Sequence, residues 1–128
     1  MAKKILLVED DSAIIDIYQI AFKGAGFDVE TLSDGQSAID KIKSIELGED
    51  DIPDIILLDI ILPDFNGMDI LKEIKKGNKT KSISLIILSN NTDAELKKMG
   101  YDLGNQKCLT KAQHTPTQLI EIIKKELK

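Results

Sequence analysis

Four consecutive apolar residues at positions 55–58, followed at once by Asp59, constrain this chain more than any other feature. A strand that is apolar at every position is buried on both faces, which is typical of a central strand in a parallel sheet. In open α/β sheets, ligand-binding groups gather beyond the carboxyl ends of the strands. The sequence therefore predicts that Asp59 lies at the edge of the sheet where a site would form.

Three other strand-like segments also end in side chains that can carry chemistry. These side chains are Glu9, Asp10 and Asp11 after residues 4–8, Ser89 after residues 83–88, and Lys111 after residues 107–110. Taken singly, the acids could form a solvated loop, the serine a turn, and the lysine an ordinary surface residue. Because the carboxyl ends of parallel strands meet at one edge, the four strand ends together predict a single site.

Composition and charge narrow the class of protein. A length of 128 residues is typical of one domain, so we expect a single domain over residues 1–128 without an output domain. The net charge of −5 argues against nucleic-acid binding. A lone cysteine excludes an internal disulfide, and no apolar run approaches the ~20 residues of a membrane span. We therefore expect a cytoplasmic protein that binds neither nucleic acid nor membrane.

Strand-like and helix-like segments alternate five times along the chain. A second strand is predicted at residues 27–32, and helices are predicted from Ile14 to Gly24, over residues 36–47, 68–76 and 93–103, and from a capping box at Thr115 onward. Alternation of this kind predicts an α/β fold with one parallel sheet and helices on both of its faces.

The pattern Leu-Asp-x-x-Leu-Pro-x-x-x-Gly at positions 58–67 is specific. Together with Glu9-Asp10, Ser89 and Lys111, it resembles the receiver domains of response regulators, the phosphoacceptor half of two-component signalling. The resemblance extends over essentially the whole chain. It implies a CheY-like, doubly wound (βα)5 fold with the flavodoxin-like strand order 2-1-3-4-5, which places the acidic residues opposite Asp59.

A cluster of carboxylates at one edge predicts a divalent cation. Each pair of carboxylates at about 4 Å repels by ~1 kcal/mol even in water, and Mg²⁺ prefers oxygen ligands. Asp10 and Asp59 are the expected direct ligands. The resemblance adds the backbone carbonyl of Ile61, and Glu9 is expected to hold a water molecule bound to the ion.

The resemblance implies that Asp59 accepts a phosphoryl group from a sensor histidine kinase or a histidine phosphotransfer protein in a Mg²⁺-dependent reaction. Lys111 and the metal would stabilise the phosphoryl oxygens, and Ser89 would donate a hydrogen bond to them. Chemistry is expected to be limited to self-catalysed phosphorylation and dephosphorylation. Signalling would then proceed through contacts with an unidentified downstream protein, or through a phosphorelay.

Two other functions compete with this one. A phosphohydrolase of the haloacid-dehalogenase type also uses an aspartate nucleophile and Mg²⁺, but that family has a second aspartate two residues later, where this chain has Ile61. A pseudo-receiver would bind partners without accepting phosphate. The complete set of acceptor-site residues argues against it.

Three positions depart from the family pattern. Ala112 replaces the proline that usually follows the lysine, so this loop either takes a different course or holds a cis bond without proline. Cys108 replaces an aromatic residue that rotates on activation, and Asn90 replaces a common alanine. We expect Cys108 to be a small buried side chain, and Ser89 to carry the conformational response in place of the missing ring.

Overall fold

The computed structural model describes residues 2–128 of the chain. Its strands are β1 (Lys4–Val8), β2 (Asp28–Leu32), β3 (Ile55–Asp59), β4 (Ser84–Ser89) and β5 (Cys108–Thr110). Its α-helices are α1 (Ser12–Gly24), α2 (Gly35–Glu46), α3 (Gly67–Lys76), α4 (Asp93–Lys98) and α5 (Pro116–Glu126). Short 3₁₀ turns occupy Thr80–Ser82 and Lys111–Gln113. Within the described residues, no helix combines the length and apolar character needed to cross a membrane.

The five strands form one parallel sheet in the order β2-β1-β3-β4-β5, which confirms the predicted fold and strand order. The register aligns the carboxyl ends of the strands. Val8 lies beside Leu58, and Ser89 lies beside Thr110. The residues that follow these strands therefore meet at one edge of the sheet, as expected from the chain order.

Strand β3 lies at the centre of the sheet and is buried at all five positions. One face of the sheet packs against α1 and α5, where Tyr18 and Phe22 stack with their ring centroids 5.4 Å apart. The other face packs against α2, α3 and Leu96 of α4. Each fully buried apolar side chain contributes about 1.5–3 kcal/mol. The apolar cores on the two faces of the sheet together hold β3 in place, and with it Asp59 at the carboxyl end of that strand.

The helices begin at side-chain caps that the sequence signals. Asp11 accepts hydrogen bonds from the first amides of α1, and Thr115 and Gln118 form the predicted capping box of α5 with Pro116 in its first turn. Apart from α4, the predicted helix and strand bounds agree with the structure to within one residue, except that α1 begins at Ser12, two residues before the predicted start.

The predicted bounds of the fourth helix were wrong. A helix was expected over residues 93–103, but α4 ends well before that. Gly100 has a φ of 92°, its amide donates to the Lys97 carbonyl, and the Tyr101 amide donates to the Leu96 carbonyl. These bonds form a Schellman motif, which ends a helix at a left-handed glycine. The apolar spacing across Gly100 suggested continuation, whereas the glycine marks the end.

The loop after β3 closes tightly on itself. The Gly67 amide donates to the Ile60 carbonyl at 3.0 Å, and Ile61 and Asn66 form an isolated bridge. A Cβ atom added at Gly67 would lie 2.0 Å from the Ile60 carbonyl oxygen. Only glycine allows this approach of the two backbone segments. The loop thereby holds Ile61 directly beside the end of β3.

We expect Gly67→Ala to lower the free energy of unfolding by about 1–3 kcal/mol or more, because the added methyl group overlaps backbone atoms. Gly24→Ala is the matched control, since a Cβ there meets no atom within 4 Å and alanine favours a helix. Urea denaturation followed by circular dichroism measures both. Equal stability of the two variants would contradict the packing assigned to this loop.

Candidate functional site

A cavity of about 300 Å³ opens beyond the carboxyl ends of β1, β3 and β5. Its lining consists of Glu9, Asp10, Asp11, Ile14, Asp59, Ile61, Asn90, Asn91 and Lys111. Five of the six residues expected from the sequence to form the site are therefore brought together here. Ser89 is the exception.

Three carboxylates crowd this cavity. Glu9, Asp10 and Asp59 each offer an oxygen, and these oxygens lie within 4.8 Å of one another. Glu9 is 1% exposed and Asp59 is 6% exposed, whereas Asp10 faces solvent. The buried pair is placed by β1 and β3, which are neighbours in the sheet. Asp10 completes the cluster from the mouth of the cavity.

Lys111 is the cation of the cavity. Its ammonium Nζ donates to Asp59 Oδ2 at 3.0 Å and also to Glu9 Oε1. Burial of the ammonium lowers the pKa of Lys111, but the hydrogen bond to Glu9 and the charges of both carboxylates outweigh this and hold that pKa above its ordinary value. The lysine is therefore charged at neutral pH.

Glu9 has a raised pKa in the same environment. Burial is the largest cause, the hydrogen bond from Lys111 opposes it, and the charge of Asp59 raises the pKa again. When ionised, the three converging carboxylates of Glu9, Asp10 and Asp59 carry three negative charges, against the single positive charge of Lys111. The cavity therefore holds more negative charge than its own lysine can offset.

Both oxygens of Asp59 have defined partners. The backbone amide of Ile61 donates to Oδ1 at 3.1 Å, and Lys111 donates to Oδ2. The short loop closed by Gly67 supplies the amide, and the residue after β5 supplies the ammonium. The carboxylate is thus held in one orientation at the floor of the cavity.

Ser89 lies at the end of β4, as expected, but is fully buried and does not line the cavity. Its Oγ accepts a hydrogen bond from the Asn91 amide at 2.9 Å. The wall at this strand end consists of Asn90 and Asn91. Asn91 was not predicted as a site residue, although its place three residues beyond the predicted strand over residues 83–88 was an available signal.

The segment after β5 takes the course without a cis bond. The peptide bond between Lys111 and Ala112 is trans, and the chain enters a short 3₁₀ turn. Of the two alternatives left by the missing proline, the different loop course is the one observed.

Cys108 is half-buried, and burial, with a contribution from Asp93, raises the pKa of its thiol to about 12. It is therefore an uncharged, small side chain, as expected, but it is less buried than predicted from the sequence.

The donor set of the cavity fits a hard divalent cation. Three carboxylates converge, and Ile61, two residues after Asp59, lines the same cavity. Oxygen ligands with excess negative charge are what Mg²⁺ prefers, and one or two carboxylates suffice for it. Asp10, Asp59 and the Ile61 carbonyl are the residues that could hold such an ion.

Comparison with known proteins places this geometry in a family. Residues 5–124 match the family model described as response regulator receiver domain. Among solved structures, the chemotaxis response regulator CheY4 of Vibrio cholerae is 25% identical, with a TM-score of 0.80 over 99% of this chain and 100% of that one. The phosphorylated cyanobacterial phytochrome response regulator RcpA is 33% identical, with a TM-score of 0.76 over 98% and 91% of the two chains.

A third similar structure is a CheY-like receiver domain protein from Methanospirillum hungatei JF-1. It is 27% identical, with a TM-score of 0.77 over 99% of this chain and 94% of that one. The family match runs from β1 into α5, and the strand order and the acidic cluster agree with it. This chain therefore belongs to the response regulator receiver domains, a family of signalling phosphoacceptors with the CheY-like fold.

Proposed function

We propose that this protein accepts a phosphoryl group on Asp59, in a Mg²⁺-dependent reaction, from a sensor histidine kinase or a histidine phosphotransfer protein. The observation that carries the proposal is the placement of the Asp59 carboxylate. It lies at the end of the central strand, bonds to Lys111, and is within 4.8 Å of the Glu9 and Asp10 oxygens in an open cavity.

In the transfer step, an oxygen of Asp59 attacks the phosphorus of a phosphohistidine. The new O–P bond forms as the N–P bond breaks, and the imidazole nitrogen keeps the electron pair. The Ile61 amide orients the nucleophile, and the Lys111 ammonium offsets the charge of the phosphoryl oxygens. Glu9 holds that ammonium beside Asp59.

Asp10, Asp59 and the Ile61 carbonyl would hold the metal. Bound Mg²⁺ would supply positive charge that the cavity lacks. This charge would allow a phosphoryl dianion to approach the three carboxylates. Without such charge, Asp10 and Glu9 would repel the incoming group. The requirement for a cation therefore follows from the same crowding that marks the site.

Ser89 would transmit the phosphorylated state. Its Oγ accepts from the Asn91 amide, so its own O–H remains a donor. Drawing this hydroxyl towards a phosphoryl group would strain the bond to Asn91 and shift the loop that leads into α4. Position 108 in β5 is occupied by a cysteine, so there is no aromatic ring at this position that could rotate on phosphorylation.

We further propose that residues 1–128 act as a single receiver domain, with output through contacts with a downstream protein or through phosphorelay. Turnover of external phosphate esters is disfavoured at this site. The second aspartate that a dehalogenase-type hydrolase needs is replaced by Ile61, whose backbone serves the nucleophile.

Asp59→Asn should abolish phosphorylation by acetyl phosphate and Mg²⁺, because the amide is not a nucleophile for phosphorus. Intact-mass spectrometry should show one added phosphoryl group on the natural protein and none on the variant. Asp69→Asn is the control, since Asp69 is exposed in the first turn of α3 and does not line the cavity. Persistent modification of Asp59→Asn would move the acceptor elsewhere.

Asp10→Asn should weaken Mg²⁺ binding by roughly tenfold or more and slow phosphorylation, while the fold is retained. The reason is the loss of one of the two carboxylates proposed as direct ligands. Mg²⁺ titration monitored by amide chemical shifts gives the affinity. Asp16→Asn changes the same charge on the exposed face of α1 and should leave the affinity unchanged. Equal affinities of the Asp10 and Asp16 variants would remove Asp10 from the metal site.

Ser89→Ala should uncouple the loop from phosphorylation while Asp59 still accepts the group. In the natural protein, beryllium fluoride as a phosphoryl mimic should shift the amides of residues 89–92 and of the start of α4 more than those of β5. The Ala variant should lose the first response. Ser84→Ala, at the other end of β4, is the control. Large shifts confined to β5, with residues 89–92 silent, would contradict this coupling.

A further inference from the structure

The N-terminus of α2 is held by two aspartates from different parts of the chain. Asp34, its own N-cap, accepts from the Ser37 amide at 2.7 Å. Asp64, from the loop after β3, accepts from the Gly35 amide at 2.8 Å and from the Gln36 amide at 3.2 Å. The first amides of a helix have no partner within the helix, so a second carboxylate fills positions that a single cap leaves open.

Asp64 belongs to the loop that presents Ile61 to the site. Residues 60–67 close through the Gly67 amide and the bridge between Ile61 and Asn66. The next residue, Phe65, packs on α2 as well, because a Cβ added at Gly35 would lie 2.4 Å from Phe65 Cβ. The loop thus contacts the start of α2 through a carboxylate and through a ring.

Electrostatics favour this contact at neutral pH. The hydrogen bond from the Gly35 amide is the largest cause that lowers the pKa of Asp64; slight desolvation opposes it, and the Gln36 amide adds to the lowering. A helix N-terminus also carries partial positive charge, which favours an ionised carboxylate. The ionised carboxylate, which accepts both hydrogen bonds, is therefore the favoured form of Asp64 at neutral pH.

The other hydrogen bonds of residues 61–66, within the described chain, stay inside the loop, Asp59 and the first turn of α3. Asp64 is the loop's polar attachment to a separate helix. We propose that Asp64 is a positioning residue for metal binding: by holding the N-terminus of α2 it fixes Ile61 beside Asp59. The inference rests on the proposed function, since it takes the Ile61 carbonyl as a ligand.

The test compares Mg²⁺ affinity in variants of the two aspartates that share one helix end. Asp64→Ala should weaken Mg²⁺ binding roughly tenfold, the lower end of the effect expected when a group that orients a ligand is removed. Asp34→Ala removes a cap from the same helix, but the Asp34 carboxylate accepts its hydrogen bonds from Ser37 within α2 and not from the loop after β3, so this variant should destabilise the fold and leave Mg²⁺ affinity unchanged. Asp64→Asn keeps one acceptor oxygen and should fall between Asp64→Ala and the natural protein.

Amide chemical shifts during the Mg²⁺ titration give the affinities, and hydrogen exchange at Gly35 and Gln36 reports directly on the attachment. Unchanged Mg²⁺ affinity in Asp64→Ala, or an equal loss in Asp34→Ala, would overturn the inference. If the alanine variants do not fold, Asp64→Asn against Asp34→Asn carries the same comparison. Failure of the proposed function looks different, because the natural protein itself would then show no saturable Mg²⁺ response.

Discussion

The arrangement of the site depends on one buried ammonium. Lys111 follows the short edge strand β5 and reaches two carboxylates, Glu9 directly after β1 and Asp59 at the last position of β3. It thus links three strands across the edge of the sheet, although the strand next to β5 in the sheet is β4. A buried charge that loses its partner destabilises a fold by roughly 3–5 kcal/mol. The same two contacts of Lys111 therefore stabilise both the geometry of the acceptor site and the position of β5 at the edge of the sheet.

Much of this arrangement could be predicted from the sequence because its signals are local. The apolar run of β3 and the polar residues after each strand can be recognised within a few consecutive residues of the sequence. The strand order came from the resemblance to receiver domains, since apolar patterns do not say which strands are neighbours. The length of α4 was mispredicted because apolar spacing was given more weight than Gly100.

The remaining contacts could not be predicted because they depend on how distant segments approach one another. Asp64 lies 29 residues after Gly35 in the sequence, and nothing near either residue indicates that they meet. The sequence correctly predicted that Ser89 lies at the end of β4, but it did not predict that the side chain is fully buried. The Ser89 hydroxyl accepts a hydrogen bond from the Asn91 amide and lies behind Asn90 and Asn91, which form the wall of the cavity at this strand end. Depth and lateral contact are tertiary properties, so a pattern along one strand does not contain them.

The early end of α4 has a consequence for how this helix responds to its surroundings. Six residues give less than two turns, and a helix of that length has almost no stability of its own in water. What keeps α4 helical is the Schellman motif at one end, the burial of Leu96, and the Thr92–Glu95 capping box at the other. Thr92 belongs to the loop that begins at Ser89. A displacement of that loop that broke the Thr92–Glu95 bonds would leave the first turn of α4 without its cap, and the response would then be a helix–coil transition of that turn and not a rigid rotation of the helix.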